Sequence, residues 1–279
     1  MNRIASKLWC HLSFNTNKRH YVGEIRASEG KEVHNFQDLV QNIAYISYNN
    51  PDLNLYFRGQ SYDYKNKKGV TFLYPSIFRN IRNKVRSGNN LDQRFKILER
   101  AQKILLSEIK AKKIDGHESL IRFNEIQWAI LQHYEVCLTP LIDVTTSLRA
   151  ACSFAFHNDN NIGFLYILGL PHVNGSISYY VEDELLNIKL SSICPPQALR
   201  PYFQEGLLVG SFPMERKNIR WGKIDIASRL IAKFKLIKSK FWDKSFTEIP
   251  INSFFPPDDP FLSVCKKVKE KLKKEFNTI

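Results

Sequence analysis

Cysteine is scarce in this sequence, and its placement suggests no chemistry. Five occur in 279 residues, at positions 10, 137, 152, 194 and 265, with wide spacings and no CxxC pair. An odd count at such distances argues against a disulfide framework and a zinc site, and for a reducing compartment. Long apolar runs are missing too. Even Asn161-Ile162-Gly163-Phe164-Leu165-Tyr166-Ile167-Leu168-Gly169 is of strand length, well short of a membrane span. The first twenty residues hold no apolar stretch of signal-peptide length. There is no internal repeat, low-complexity linker or clear boundary. The expectation is one soluble, cytoplasmic domain over residues 1–279, with no metal site and no membrane partner.

What is present is ordinary for a folded protein in all but charge. Apolar residues make up 43% and charged residues 24%, which argues against disorder. The 13% aromatic content, rich in Phe and Tyr, favours strands and a bulky core. The formal net charge is +14. Charge of that sign attracts polyanions: nucleic acid, dinucleotide phosphates or an acidic protein partner. Scattered lysine serves solubility equally well, because charge informs association rather than fold.

Periodicity predicts the elements. Helical spacing runs over Val33–Ile46, and Asn49-Asn50-Pro51-Asp52 breaks it. A strand follows over Leu53–Gly59, then a Tyr- and Lys-rich loop over Gln60–Gly69. Helices are predicted over Asp92–Lys113 and Asn124–Tyr134, a strand over Leu138–Thr145, and a helix over Ser147–Phe156 capped near Thr146. Gly163–Leu168 reads as a buried strand, and Ser176–Val181 and Gly206–Ser211 as further strands. Glu182–Ile188 reads as a short helix, Ile224–Ile237 as helix or strand, and Phe261–Phe276 as a final helix. The lysine run of that helix (Lys266, Lys267, Lys269, Lys271, Lys273, Lys274) reads as a solvated amphipathic face rather than a phosphate grip. The fold class is α+β, a mixed sheet with flanking helices.

Two constellations carry candidate chemistry. In Phe57-Arg58-Gly59-Gln60 an arginine ends an apolar strand, so its guanidinium needs a carboxylate such as Asp143, a phosphate or water. Gly59 lets the backbone turn or lets a ligand approach closely. The second constellation is Gln132-His133-Tyr134 followed by Thr139 to Ser147 and an Ala-rich helix. Asp143 sits half-buried on a strand and needs a donor. Thr145, Thr146 and Ser147 suit either a ligand or a helix cap. His133 suits a base, an orienting donor or a satisfied structural residue.

Together these segments resemble the FRG domain family, named for Phe-Arg-Gly. The family also carries Gln-His-Tyr-Gly, Thr-x-Leu-Leu-Asp-Trp-Thr and an Ala-rich helix ending Phe-Ala. Here Gln132, His133, Tyr134, Thr139, Leu141, Asp143, Thr145, Ala150 and Phe154-Ala155 match. Glu135 stands where Gly is usual and Val144 where Trp is usual. Arg200, Gln204 and Gly206 match a third element. The resemblance covers about residues 36–211, leaving a helical, basic C-terminal extension over 212–279.

The family pattern is similar to a divergent ADP-ribosyltransferase arrangement with a split sheet. That resemblance implies NAD as substrate, Arg58, Thr145, Gln204 and Glu205 as catalytic residues, and Arg58, Gln60, His133, Asp143, Thr145 and Thr146 as cofactor-binding residues. A cation would hold the pyrophosphate, hydroxyls the ribose, and an anion the oxocarbenium-like charge that develops as the glycosidic bond breaks. Such a protein would serve as a toxin or phage-defence component. A neutral Gln204 is a weak electrostatic partner for that cation, so the competing expectation is a non-catalytic module for nucleic acid or a nucleotide-bearing ligand. Tyr62-Asp63-Tyr64-Lys65 supports the latter. Glu108-Ile109-Lys110 has the residue types of a metal-dependent nuclease but lies inside a predicted helix, which removes that reading.

Overall fold

The structure is a computed structural model describing residues 9–10, 19–79, 88–158, 160–214, 216, 219–244 and 246–276. In chain order the elements are β1 (Trp9–Cys10), β2 (Arg19–His20), α1 (Val22–Ala27), β3 (Lys31–Val33), α2 (Phe36–Tyr48) and β4 (Asn54–Gln60). Next come α3 (Gly88–Lys112), α4 (His117–Arg122), α5 (Asn124–His133), β5 (Leu141–Thr145), α6 (Leu148–Ala155) and β6 (Ile162–Leu170). Then follow β7 (Ile177–Tyr180), β8 (Leu185–Ile188), α7 (Arg200–Phe203), β9 (Gly206–Ser211) and α8 (Trp221–Ile224). β10 (Leu230–Ile237), α9 (Ile251–Phe254) and α10 (Pro260–Phe276) complete the chain. The class is α+β, as the periodicity predicts. The predicted short helix at Glu182–Ile188 is a correction: a turn precedes strand β8, because Glu184 adopts φ +55° and Leu185 to Ile188 are buried on both faces.

The chain divides into two compact units, each assembled from three separated stretches. One holds residues 1–73, 144–173 and 225–253, the other 74–143, 174–224 and 254–279. The division falls inside β5, between Asp143 and Val144, so no linker composition marks it.

The first unit is built on strands in the order β3-β10-β6-β4-β5. β10 runs parallel to β3 and antiparallel to β6, and β4 is antiparallel to both β6 and β5, giving a mixed sheet. Apolar side chains on one face of this sheet (Phe57, Leu165, Ile167, Phe234, Leu236) form a core with Leu39, Ile43 and Ile46 of α2 and Ala151 and Ala155 of α6. Each large aliphatic or aromatic side chain buried this way stabilises the fold by about 1.5–3 kcal/mol relative to exposure. α2 starts where Asn35 Oδ1 accepts the Asp38 N–H at 2.7 Å, a cap that contributes about 1 kcal/mol.

The second unit packs α3, α5 and α10 around a core that includes Leu105, Ile130, Val264 and Val268, together with Leu186 and Ile188 of β8. Its strands follow the order β5-β9-β8-β7, with β7, β8 and β9 mutually antiparallel. In α10, Val264, Cys265, Val268 and Leu272 are buried while Lys266, Lys267, Lys271, Lys273 and Lys274 are exposed, so the lysine run is a solvated face. Lys271 reaches Glu108 of α3 at 2.6 Å, which gives that helix glutamate a structural partner. No described helix is long and apolar enough to cross a membrane.

Candidate functional site

Strand β4 sorts the Phe-Arg-Gly residues by alternation. Phe57 and Gly59 face the apolar core, whereas Tyr56, Arg58 and Gln60 face the other side of the sheet. Gly59 has no left-handed backbone; its role is contact. A Cβ there would lie 1.7 Å from the Ala151 carbonyl oxygen and 2.8 Å from the Ala155 nitrogen. The tripeptide glycine and the Ala-rich helix are therefore two halves of one packing device, in which α6 rests its backbone directly on β4. The expected turn or ligand approach at Gly59 is replaced by this helix.

Arg58 lies in register with Tyr166 of β6, and Tyr166 in register with Lys233 of β10. Three strands thus present a row of cation, phenol and cation on the face opposite α6. Asp63, from the loop after β4, ties Tyr166 and Lys233 of this row together. Its carboxylate accepts the Tyr166 hydroxyl at 2.9 Å, Lys233 Nζ at 3.0 Å and the Thr71 hydroxyl at 2.7 Å. Both Tyr166 and Lys233 are fully buried. Desolvation pulls the Lys233 pKa below the usual lysine value, against the Asp63 hydrogen bond and charge, which favour the cation. Burial, followed by the charge of Asp63 and its hydrogen bond, pushes Tyr166 far above the usual tyrosine value, so its hydroxyl stays a donor. On the same face, Gln60 Oε1 is buried with no hydrogen-bond partner among the described residues. An acceptor left so costs about 1–3 kcal/mol until a donor meets it.

The hydroxyl cluster after β5 is divided in its duties. Thr145 stands opposite Phe57 across the β4–β5 pairing, which puts it on the core face rather than on the face of Arg58. It is 6% exposed, and its Oγ1 accepts the Ser147 N–H at 3.0 Å. Ser147, not Thr146, caps α6 by accepting the Ala150 N–H. Thr146 is the exposed hydroxyl of the three.

In the second unit, the end of α5 and the start of β5 form a separate polar cluster. Asp143 accepts Gln132 Nε2 at 2.8 Å and the Nδ1 hydrogen of His133 at 3.1 Å. The His133 side chain is 2% exposed and that of Asp143 is 35% exposed, so the histidine orients and the carboxylate faces outward. Gln132 Oε1 in turn accepts the Thr139 hydroxyl. Gly206 makes room for the imidazole, since a Cβ there would lie 2.9 Å from His133 Cε1. Gln204 is buried and donates its amide to the Phe254 carbonyl at 3.0 Å, while Glu205 is exposed with φ +46°.

Glu135, the departure from the family's usual Gly, adopts φ +53°. It closes α5 in a Schellman arrangement, with Glu135 N–H on Gln132 O at 2.9 Å and Val136 N–H on Leu131 O at 2.9 Å. The position wants glycine for its backbone, not for a ligand.

Sequence reasoning missed Tyr166 and Lys233. The available signal was a lysine set among apolar residues in the run Leu230–Leu236, at a position facing Tyr166. Burial raises the pKa of Cys137 to about 12 and that of Cys194 to about 11, so these two thiols stay protonated. Among the described residues, no group of His, Cys, Asp or Glu is placed to hold a metal ion.

No curated protein and no solved structure matches this chain. Among family models, the FRG domain matches residues 53–162, a span that holds Arg58, Gly59, the Gln132–Asp143 cluster and all of α6 but not Gln204 or Gly206. The Gly59–α6 contact and the His133–Asp143 pair give those matched residues their physical reasons, and the chain carries an FRG domain over residues 53–162.

Proposed function

We propose that the chain binds a dinucleotide of the NAD type through the Arg58 face of its first unit and acts as an ADP-ribosyltransferase-like or NAD-cleaving enzyme. The observation that carries this reading is the unmatched buried Gln60 Oε1 on the same strand face as Arg58. An acceptor seeking a donor, beside a guanidinium suited to two phosphate oxygens, matches a ligand that offers both an amide or hydroxyl and a pyrophosphate. In this reading Arg58 takes the pyrophosphate, Gln60 accepts from the carboxamide or a ribose hydroxyl, and Thr146 supplies the exposed hydroxyl. Thr145 keeps α6 in place instead of touching the ligand. The Asp143–Gln132–His133 cluster belongs to the second unit and is assigned no contact with this ligand. Glu205 likewise lies in the second unit, and Gln204 supports the fold.

Titration calorimetry with NAD tests the binding step, and nicotinamide release tests the chemistry. Arg58→Ala is expected to abolish binding and Arg58→Lys to weaken it. Unchanged heats of NAD binding in Arg58→Ala and Gln60→Ala would refute the assignment. Nicotinamide release that persists unchanged in Arg58→Ala would refute the enzymatic reading.

A further inference from the structure

The turn after β4 carries two exposed rings on a rigid support, and the nucleotide reading uses neither. Tyr62 and Tyr64 are 54% and 51% exposed, with ring centroids 6.4 Å apart and planes at 60°. Two residues apart, they lie edge to face beside one another. Asp63 between them points inward, where its side chain is 5% exposed and fixed on Lys233, Thr71 and Tyr166. The returning chain closes a hairpin: Phe72 N–H donates to Tyr64 O at 3.1 Å, Asn66 N–H to Val70 O at 2.9 Å, and Lys65 bridges to Thr71. Asn66 Oδ1 accepts the Lys68 and Val70 N–H groups, and Gly69 turns at φ +73°. Rings mounted on such a hairpin lose little further freedom when something covers them.

The charges around the rings are unevenly spent. Lys65 meets Glu29 at 2.5 Å, and Asp63 is committed to Lys233. Lys67 and Lys68 at the tip are exposed, and no described ion pair involves them. The hairpin therefore offers two flat apolar faces beside two unneutralised cations, on a chain of net charge +14.

We infer that this hairpin is a docking surface for single-stranded nucleic acid, with bases stacking on Tyr62 and Tyr64 and phosphates meeting Lys67 and Lys68. An acidic peptide would satisfy the lysines and leave the rings uncovered. A duplex keeps its base faces stacked internally. A single strand presents phosphates and open π-faces together.

The test is fluorescence anisotropy of the full chain with labelled 15-nucleotide oligo(dT) and oligo(U) at low salt. Tyr62→Ala and Tyr64→Ala are each expected to weaken binding by about 5- to 100-fold, with Phe at either position retaining it. Lys67→Gln with Lys68→Gln should reduce the slope of log affinity against log salt by about 1.4, at roughly 0.7 per phosphate contact. A duplex of equal length should bind more weakly. Thermal melts check that each variant is folded. Lys67→Glu with Lys68→Glu provides a second test at exposed tip positions, and it should abolish binding. The inference is overturned if no anisotropy change occurs at low salt, or if the alanine variants bind like the parent. It also fails if polyglutamate displaces the oligonucleotide at equal charge concentration, which would mark an acidic protein as the partner. None of these outcomes depends on NAD binding.

Discussion

Adding one methyl group at Gly59 should do more damage than almost any other single-carbon change in the chain. The Cβ of Gly59→Ala would fall 1.7 Å from the Ala151 carbonyl oxygen, with the Ala151 carbon and the Ala155 nitrogen each at 2.8 Å. All three are backbone atoms of α6, so no rotamer change relieves the overlap. A carbon and an oxygen tolerate about 3.2 Å, so the helix must withdraw by about 1.5 Å, which forfeits much of the dispersion contact across the interface. Overpacking alone costs about 1–3 kcal/mol, and with the loosened face of Ala151, Ala155, Phe57 and Ile167 we expect about 3–5 kcal/mol. Two neighbours calibrate the series. At Gly163 the nearest atoms are Ala155 Cβ and O, both at 2.9 Å, so Gly163→Ala should cost less, and Ala155→Gly should relieve part of it. At Gly23 in α1 nothing among the described residues lies within 4 Å, and Gly23→Ala should stabilise by about 0.5–1 kcal/mol. Urea unfolding by circular dichroism and tryptophan fluorescence reads the three midpoints, with m-values checked for constancy. A Gly59→Ala midpoint within about 0.5 kcal/mol of the parent would sink the account of the tripeptide glycine.

Glu135→Gly should raise stability by about 1 kcal/mol in the same urea assay, because it removes the left-handed penalty at the end of α5. Breaking the Asp63–Lys233 pair by Asp63→Asn or by Lys233→Met should cost about 3–5 kcal/mol, and the double variant should cost less than the sum. Burial raises the Glu184 pKa, but hydrogen bonding and charge from Lys223 and then Arg220 outweigh it, leaving the pKa below the usual glutamate value. A depressed carboxylate stabilises the native state above its unfolded pKa and loses that contribution as pH falls through the folded value. Glu184→Gln should therefore flatten the acid limb of a thermal-melt profile below about pH 4.3 and leave the alkaline limb unchanged.

Elements with one buried face were legible in advance. The spacing of Phe36, Leu39 and Ile43 predicts α2, and that of Phe95, Leu98 and Leu105 predicts α3, which begins at Gly88 rather than Asp92. Where both faces are buried the period disappears. Glu182 to Ile188 reads as a short helix, and the run ending at Ile237 reads either way, yet Leu185–Ile188 and Leu230–Ile237 are strands. The motif residues were recognised, but several of their jobs were not. Gly59 and Gly206 accommodate a helix backbone and an imidazole, contacts that local spacing does not encode. Hydroxyl chemistry is the same in a cap and in a site, so the sequence leaves both jobs open to Thr145, and its register opposite Phe57 puts it on the core face of the sheet. Asp63 and Lys233 lie 170 positions apart, so their pairing emerges only when β10 takes its place in the sheet.

That place has a consequence for how the protein is made. β10 lies between β3 and β6, so the sheet of the first unit stays interrupted until residue 237 has left the ribosome. During vectorial synthesis β3 has no parallel neighbour, and Asp63 waits for its lysine through most of translation. A nascent chain in this condition exposes two unfinished sheet edges, the kind of surface that chaperones hold. An excised fragment spanning residues 53–162 stops at the first residue of β6 and lacks both that strand and β10. The matched region therefore leaves out the two strands that complete the sheet beside β4.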